Sequence, residues 1–168
     1  MRTAIELGIP SWAVGGGALR DVAWDFIFCN SSPTSHRDID LVYFHPDVSE
    51  ASEARIERAV ADRCPGIPIE VRNQARVHLW YASKFGYEIA PIVDIEDAIS
   101  RFPEICTSVA VAGASLSNLS VLAPCGLDDL FNGILRWNPR QVTRDYFRQR
   151  LARKNPSATW PNVRIVDD

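Results

Sequence analysis

Trp12-Ala13-Val14-Gly15-Gly16-Gly17-Ala18-Leu19-Arg20-Asp21 is the stretch of sequence that decides the fold. Its opening apolar residues predict a short strand, the glycines a tight turn, and the residues after them a helix. Glycines let the backbone approach an anion closely, and the free N–H groups and dipole of a helix N-terminus favour negative charge. Arg20 lies in the first helical turn, where a guanidinium can make a bidentate contact with phosphate oxygens. The stretch therefore predicts a phosphate-binding turn made by the glycines and Arg20.

The helix after this turn is predicted over residues 18–28 with one apolar side. Side chains at three- and four-residue spacing are expected to form its buried stripe: Leu19, Val22, Ala23, Phe26 and Ile27. The side expected to face away from the core carries Arg20, Asp21, Trp24 and Asp25. The glycine turn fits neither the dinucleotide fingerprint G-x-G-x-x-G nor the Walker A loop, which ends in Gly-Lys-Ser/Thr. Those two nucleotide-binding folds are therefore not expected.

A pair of aspartates opens the next apolar run, Asp38-Ile39-Asp40-Leu41-Val42-Tyr43-Phe44. In a strand, residues two apart share a face, so Asp38 and Asp40 point the same way while Ile39, Leu41 and Tyr43 take the core side. Closely spaced carboxylates suit Mg²⁺ or Mn²⁺, and two such ions can clamp the attacking and leaving oxygens of a phosphoryl transfer. His36 leaves open a transition-metal site, although a loop histidine is more often a surface residue.

The glycine and aspartate motifs together resemble a known superfamily. Gly16-Gly17-Ala18-Leu19-Arg20-Asp21 followed by Asp38-Ile39-Asp40 resembles the DNA polymerase β-type nucleotidyltransferases, and its Gly-Gly-x-x-Arg-Asp form is similar to that of tRNA nucleotidyltransferases and poly(A) polymerases. Nearly the whole chain resembles a bacterial family of small stand-alone nucleotidyltransferase-like proteins. The further stretches that carry this resemblance are Val71-Arg72-Asn73-Gln74-Ala75-Arg76-Val77-His78, Phe102-Pro103-Glu104, Ala123-Pro124-Cys125-Gly126-Leu127-Asp128-Asp129-Leu130-Phe131 and Trp160-Pro161.

The resemblance implies a triphosphate held at the glycine turn, two divalent ions on Asp38 and Asp40, and a third carboxylate on a neighbouring strand. Here that third acid is Glu70, in the alternating run Ile67-Pro68-Ile69-Glu70-Val71-Arg72. With Ile69 and Val71 in the core, Glu70 and Arg72 share the open face of the strand. A surface ion pair between Glu70 and Arg72 is the alternative interpretation.

Two further groups of polar residues each allow two interpretations. Asn73 and Arg76, with His78, either help to bind a base, ribose or acceptor or brace the edge of the sheet. Near the C-terminus, arginines recur every four residues at 140, 144 and 148, with Arg136, Arg150, Arg153 and Lys154 close by. This stripe is either a solvated helix face or an anion-binding surface.

Composition and patterning indicate one enzyme-like domain over residues 1–168, with 46% hydrophobic residues and a net charge of −3. We predict an α/β (α+β) fold, a mixed sheet flanked by helices, with a core at about 10–100 and a small C-terminal α/β extension at about 101–168. Predicted strands cover 12–14, 39–44 and 68–72, and a second helix covers 49–63. A hairpin is expected at 107–112 and 119–123, and a helix at 127–135. The scattered cysteines and the absence of an apolar leader favour a cytoplasmic protein with no membrane partner.

These features predict a nucleotidyltransferase that moves a nucleoside monophosphate from an NTP to an RNA, protein or small-molecule acceptor and releases pyrophosphate. The main alternative is a non-catalytic nucleotide- or protein-binding module that keeps the fold. A metal-dependent phosphohydrolase is a third possibility. The reach of Glu70 toward the two aspartates separates catalysis from binding alone.

Overall fold

The structure, a computed structural model, describes residues 1–30, 34 and 38–167. Its strands are β1 (Trp12–Gly15), β2 (Ile39–Tyr43), β3 (Ile69–Asn73), β4 (Ala110–Ser115), β5 (Asn118–Leu122), β6 (Ile134–Arg136) and β7 (Arg164–Val166). Its α-helices are α1 (Arg2–Glu6), α2 (Gly17–Ile27), α3 (Glu50–Arg63), α4 (Val77–Phe85), α5 (Ile95–Ser100), α6 (Asp128–Phe131), α7 (Arg144–Lys154) and α8 (Pro156–Thr159). Short 3₁₀ turns lie at Gln74–Arg76 and Ile105–Thr107.

A five-stranded sheet forms the centre of the molecule, in the order β3-β2-β1-β4-β5. The β2–β3 pair is parallel, whereas β1 is antiparallel to both β2 and β4, and β5 is antiparallel to β4. A smaller parallel pair joins β6 and β7. This architecture confirms the predicted mixed sheet flanked by helices. The strands β4 and β5 lie beyond residue 100, so the central sheet draws on both parts of the chain.

One face of the sheet packs against α1 and α3. Leu41 and Tyr43 of β2 are buried there with Trp12, Val60 and Val71, as alternation along the strands predicted. The helix α3 is anchored at its start, where the Ser49 hydroxyl oxygen accepts from the N–H of Ser52 at 3.2 Å. Acidic residues in the first turn of α3 also suit the positive end of its dipole.

The opposite face of the sheet is covered near its middle by α5. Ala13, Val42 and Ala110 are buried against Ile99, and the ring of Phe102 packs beside them. Beside this layer, α2 and α7 meet the C-terminal segment in a second apolar cluster. The carboxylates at the start of β2 share this face, because Asp40 and Val42 are two residues apart in the same strand.

The buried side of α2 differs from the prediction. Trp24 is fully buried, whereas Val22 is 59% and Phe26 86% exposed. The indole N–H of Trp24 donates to the carbonyl of Leu130 at 2.7 Å, and its ring meets that of Trp160 edge-on at 5.2 Å. Leu19, Ala23 and Ile27 pack against the same cluster as predicted. The buried stripe is therefore rotated away from Val22 and Phe26 toward Trp24, whose partners come from distant parts of the chain.

Two predictions for the C-terminal region were also wrong. The helix expected over 127–135 ends at Phe131, and β6 begins at Ile134. Gly133 lies between them with φ +63°, a left-handed conformation that a continuing helix does not use. The later helix begins only after Thr143, whose hydroxyl oxygen accepts from the N–H of Tyr146. Arg140 is therefore outside it, and the regular arginine stripe does not form one helix face.

Candidate active site

The glycine turn lies directly against one of the predicted carboxylates. Gly15 ends β1, and a Cβ at this position would lie 2.7 Å from the Cβ of Ala110. Gly16 has φ +70°, and a Cβ there would lie only 3.0 Å from Oδ2 of Asp40. Its N–H donates to the carbonyl of Val109 at 3.0 Å, which fixes the turn to the chain just before β4. Glycine is needed at both positions, and the turn and Asp40 form one site.

The start of α2 completes this turn. Gly16 caps the helix and Gly17 is its first residue. A Cβ at Gly17 would meet no atom closer than 3.8 Å, so open space lies beside this residue. The first N–H groups of an α-helix have no partner within the helix, and its dipole favours an anion there. The geometry of the turn therefore suits a phosphate group near the carboxylates.

The strand register brings Asp40 and Glu70 together with Asp38 nearby, and these three residues are called the acidic edge. Asp40 is opposite Gly15 on one side and opposite Glu70 on the other, and Asp38 comes just before β2. Residues opposite one another in register share a face of the sheet. Burial, and after it the negative charge of Glu70, raise the pKa of the Asp40 carboxyl to about 6. Asp38 adds to this increase.

The carboxylate of Glu70 is held by its neighbour on the same strand. Its Oε1 accepts from Nε of Arg72 at 3.0 Å, and Nη1 of Arg72 also lies 3.8 Å from Glu57. Within residues 1–30, 34 and 38–167, no three His, Cys, Asp or Glu side chains are close enough together to hold a metal ion. Glu70 thus shares a face with Asp40 but contacts Arg72, and its role as the third ligand stays a prediction.

The donor set nevertheless suits a hard divalent cation. Asp38, Asp40 and Glu70 offer only carboxylate oxygens, which Mg²⁺ and Mn²⁺ prefer. The raised pKa of Asp40 reflects negative charge crowded into a poorly hydrated place, which a cation would relieve. These three residues are therefore the ones that would hold metal ions. The transition-metal alternative depends on His36, which lies outside the described residues.

Arg20 is fixed between an acid and two aromatic rings. Its Nε donates to Oδ1 of Asp21 at 2.8 Å, and its guanidinium lies 5.2 Å from the ring of Trp24 and 5.1 Å from that of Trp160. The side chain is 6% exposed. It therefore stands in the first turn as predicted but is held by other residues, and its contact with phosphate stays a prediction.

Asn73 lies on the other face of β3, since it follows the core residue Val71 by two positions. Its amide oxygen accepts from the N–H groups of His45 and Ala75, and its amide nitrogen donates to the carbonyls of His45 and Asp47. The side chain is 1% exposed. These bonds hold the connection between β2 and α3, as in the alternative interpretation, and the structure does not bring Asn73 to the aspartates.

Arg76 likewise belongs to that connection. Its Nη1 pairs with Glu53 at 2.5 Å, its Nη2 with Glu50 at 3.2 Å, and its Nε donates to the carbonyl of Val48 at 3.1 Å. The structure therefore places this guanidinium in a buried ion pair beside α3, away from the glycine turn. His78, at the start of α4, keeps a buried Nδ1 with no hydrogen-bond partner among the described residues.

Two cations of α7 act on the site, and both belong to the basic segment for which the sequence left an anion-binding role open. Arg150 and Lys154 both oppose the increase in the pKa of Asp40. Arg150 also pairs with the buried Glu104, Nε to Oε1 at 2.5 Å. The basic composition of the C-terminus was the sequence signal for Arg150 and Lys154. The four-residue spacing instead drew attention to the arginines at 140, 144 and 148. Of those, Arg148 pairs with Asp167 at 2.6 Å, away from the acidic edge.

Comparisons with known proteins agree with this arrangement of strands and helices. A solved structure described as revealing a CCA-adding enzyme head domain is similar, with 26% identity and a TM-score of 0.77 over 97% of this chain and 85% of that one. A tRNA nucleotidyltransferase, solved with a primer tRNA and an incoming ATP analogue, shares the fold at 14% identity and a TM-score of 0.56. That alignment covers 98% of this chain and 45% of the larger protein. Among curated proteins, none matches the sequence significantly.

The fold is that of a polymerase β-like nucleotidyltransferase. A nucleotidyltransferase family model matches residues 2–165, and the chain belongs to that family. The resemblance inferred from the glycine and aspartate motifs is thereby confirmed. Within the described residues, no helix has the length and apolar character needed to cross a membrane.

Proposed function

We propose that this protein transfers a nucleoside monophosphate from an NTP to a hydroxyl acceptor and releases pyrophosphate. The observation that carries the proposal is the contact between the turn and the strand, where Gly16 leaves room for Asp40 and β3 puts Glu70 beside it. This juxtaposition provides a site for phosphate next to a site for divalent cations. Family membership supports nucleotidyl transfer as the class of reaction.

Each group has a defined part in the proposed reaction. The first N–H groups of α2 hold phosphate oxygens, and Asp38 and Asp40 hold Mg²⁺ or Mn²⁺. Once bound, these ions would supply charge neutralisation and alignment of the oxygens exchanged at the α-phosphorus. Glu70 either completes the ligand set or accepts the proton of the acceptor hydroxyl, after its carboxylate leaves Arg72. Most of the rate enhancement then comes from positioning and electrostatics.

The acceptor in the proposed reaction carries a hydroxyl group. The tRNA nucleotidyltransferase of similar fold was solved with a primer tRNA, so an RNA with a free 3′ hydroxyl is the first acceptor to test. Protein and small-molecule hydroxyl acceptors follow, because this architecture supports many acceptors. The proposal also treats residues 1–168 as one domain and places the reaction in the cytoplasm.

A second candidate is a nucleotide-binding module without turnover. It is favoured by one observation, the Glu70–Arg72 contact at 3.0 Å, which leaves two carboxylates at the glycine turn. Such a module would bind an NTP with its metal ion and release it unchanged.

The test combines binding with product analysis. Thermal unfolding is measured with each NTP, with Mg²⁺, with both and with neither, for the wild type and for Asp40→Ala. We expect a stabilisation that requires NTP and metal together and is lost in the variant. Release of pyrophosphate with labelled RNA, serine-containing peptide or sugar acceptors then separates transfer from binding, and release of phosphate identifies hydrolysis. Activity retained by Asp40→Ala would reject the site.

A further inference from the structure

The last turns of α7 carry two cations on one side of the helix. Arg150 and Lys154 are four residues apart, a spacing that places side chains next to each other on a helix surface. We infer that Arg150 and Lys154 form a wall that binds the β- and γ-phosphates of the nucleotide, and that the buried Glu104 positions this wall. The inference rests on the proposed function, because it names the part of the same site that receives the triphosphate.

Glu104 is a rigid anchor for the wall. It is 2% exposed, and its Oε2 accepts from the hydroxyl of Thr107 at 3.0 Å. Its backbone carbonyl accepts from the hydroxyls of Thr107 and Ser108. Arg150 reaches it with both Nε and Nη2, at 2.5 and 3.5 Å. The position of the Arg150 guanidinium is therefore set by a carboxylate that has little freedom to move.

Three cations, Arg20, Arg150 and Lys154, surround this anchor. Burial raises the pKa of Glu104, but the charge of Arg150 and then those of Arg20 and Lys154 leave it lowered overall. Asp21 is a further acid that acts on Lys154. A Cβ at Gly16 would lie 3.2 Å from the ring of Phe102, two residues before Glu104, so the anchor stands close to the glycine turn. Arg150 and Lys154 also act on Asp40, and cations at this place can bind the phosphates of a nucleotide held there with its metal ions.

Lys154 is the cation with room for a ligand. Its ammonium makes no hydrogen bond or ion pair with any residue that the structure describes, and its side chain is exposed. It lies in the last turn of α7, where the helix dipole would stabilise a positive charge. The positive charge of the nearby Arg150 repels this ammonium. A phosphate beside Lys154 would relieve that repulsion.

The alternative is that Lys154 is an ordinary cation at a helix end. Arg153 provides the matched control, because it is the adjacent residue of the same helix turn and is also exposed. A nonspecific electrostatic contribution would be lost to a similar extent in Lys154→Ala and Arg153→Ala. If the wall binds the β- and γ-phosphates, affinity falls in Lys154→Ala and not in Arg153→Ala. The loss is then confined to ligands that carry those phosphates.

The test is calorimetric titration with Mg²⁺ and, in turn, a nonhydrolysable ATP analogue, AMP and inorganic tripolyphosphate. We expect Lys154→Ala to weaken the ATP analogue and tripolyphosphate about tenfold or more, the size of a lost hydrogen bond to a charged group. AMP affinity should be unchanged, and Arg153→Ala should resemble the wild type for all ligands. Equal affinities for the ATP analogue in the two variants, or an equal loss for AMP in Lys154→Ala, would overturn the inference.

Glu104→Gln tests the positioning role. It should raise the KM for ATP and lower affinity for tripolyphosphate, and Arg150→Lys should retain more affinity than Arg150→Met. A merely structural Glu104 would lower the unfolding temperature without changing the ratio of ATP-analogue to AMP affinity. Failure of the proposed function looks different, with Lys154-dependent tripolyphosphate binding but no nucleotide preference and no pyrophosphate release. Transfer that proceeds equally in Lys154→Ala and Arg153→Ala would reject the wall and keep the function.

Discussion

Two buried arginine–glutamate pairs, Arg76–Glu53 and Arg150–Glu104, have the same closest distance of 2.5 Å but different surroundings. We call the first pair closed, because both of its side chains have further partners within the protein. Glu53 also accepts from the N–H of Asn73, and Arg76 also pairs with Glu50. The second has two further cations nearby, Arg20 and Lys154, and Lys154 also acts on Asp40. A buried ion pair by itself therefore does not mark a functional site, and the charged groups beyond the pair are the more informative observation.

Breaking the closed pair should have the largest effect on stability. Glu53→Ala leaves Arg76 buried without its nearest carboxylate, which typically costs about 3–5 kcal/mol of unfolding free energy. Urea unfolding measures this cost. Glu50→Ala is the control, since the side chain of Glu50 is 90% exposed and its pair with Arg76 should contribute under about 1 kcal/mol. Similar losses in both variants would mean that the first pair is not closed.

Removing charge from the acidic edge should act in the opposite direction. The pKa of Asp40 is raised to about 6 from 3.8, so the folded protein binds a proton that the unfolded chain has lost between these values. Wild-type stability should therefore fall as pH rises from about 4 to 6. Without metal, Asp40→Asn should exceed the wild type by about 2 kcal/mol above pH 6 and match it near pH 4.

The measurement for Asp40→Asn is chemical unfolding in EDTA across this pH range. Asp62→Asn on the exposed surface of α3 serves as the control, because its change should not follow the same pH dependence. A variant less stable than the wild type at neutral pH would show that Asp40 has a favourable partner in the folded protein.

The smallest effect concerns α2, whose buried side carries Arg20 and Trp24. Phe26 lies on the other side and is 86% exposed. Phe26→Ser should change the free energy of unfolding by less than about 0.5 kcal/mol, as is usual for surface positions. Thermal unfolding checks this value, with Trp24→Ser as the contrasting variant that loses buried contacts. A large loss of unfolding free energy in Phe26→Ser would show that Phe26 is buried, as the sequence predicted.

The parts of the fold predicted from sequence are those determined by neighbouring residues. Alternation placed Leu41 and Tyr43 in the core, and the glycine turn marked the junction of β1 and α2. Alternation also predicted that Glu70 shares the open face of its strand, whereas its position opposite Asp40 depends on the pairing of β2 with β3, which alternation does not specify.

The errors arose where partners lie far apart in the sequence. Trp24 is buried because it donates a hydrogen bond to Leu130 and packs against Trp160. The sequence of α2 itself does not indicate these two partners. For Arg76 the sequence left two roles open, and the acids that pair with it come from α3, outside its own motif. Arg150 and Lys154 were seen only as part of a basic segment, because nothing local shows that α7 returns to the start of β2.

That return of α7 to β2 has a consequence for folding. Asp40 and Lys154 belong to opposite ends of the chain, and they come together only when the central sheet and α7 are both in place. A ligand that contacts both Asp40 and Lys154 therefore binds only the complete tertiary structure. Its binding free energy adds to the free energy of global unfolding. A nucleotide bound as proposed would thus act as a non-covalent crosslink between the first strands of the sheet and the last long helix.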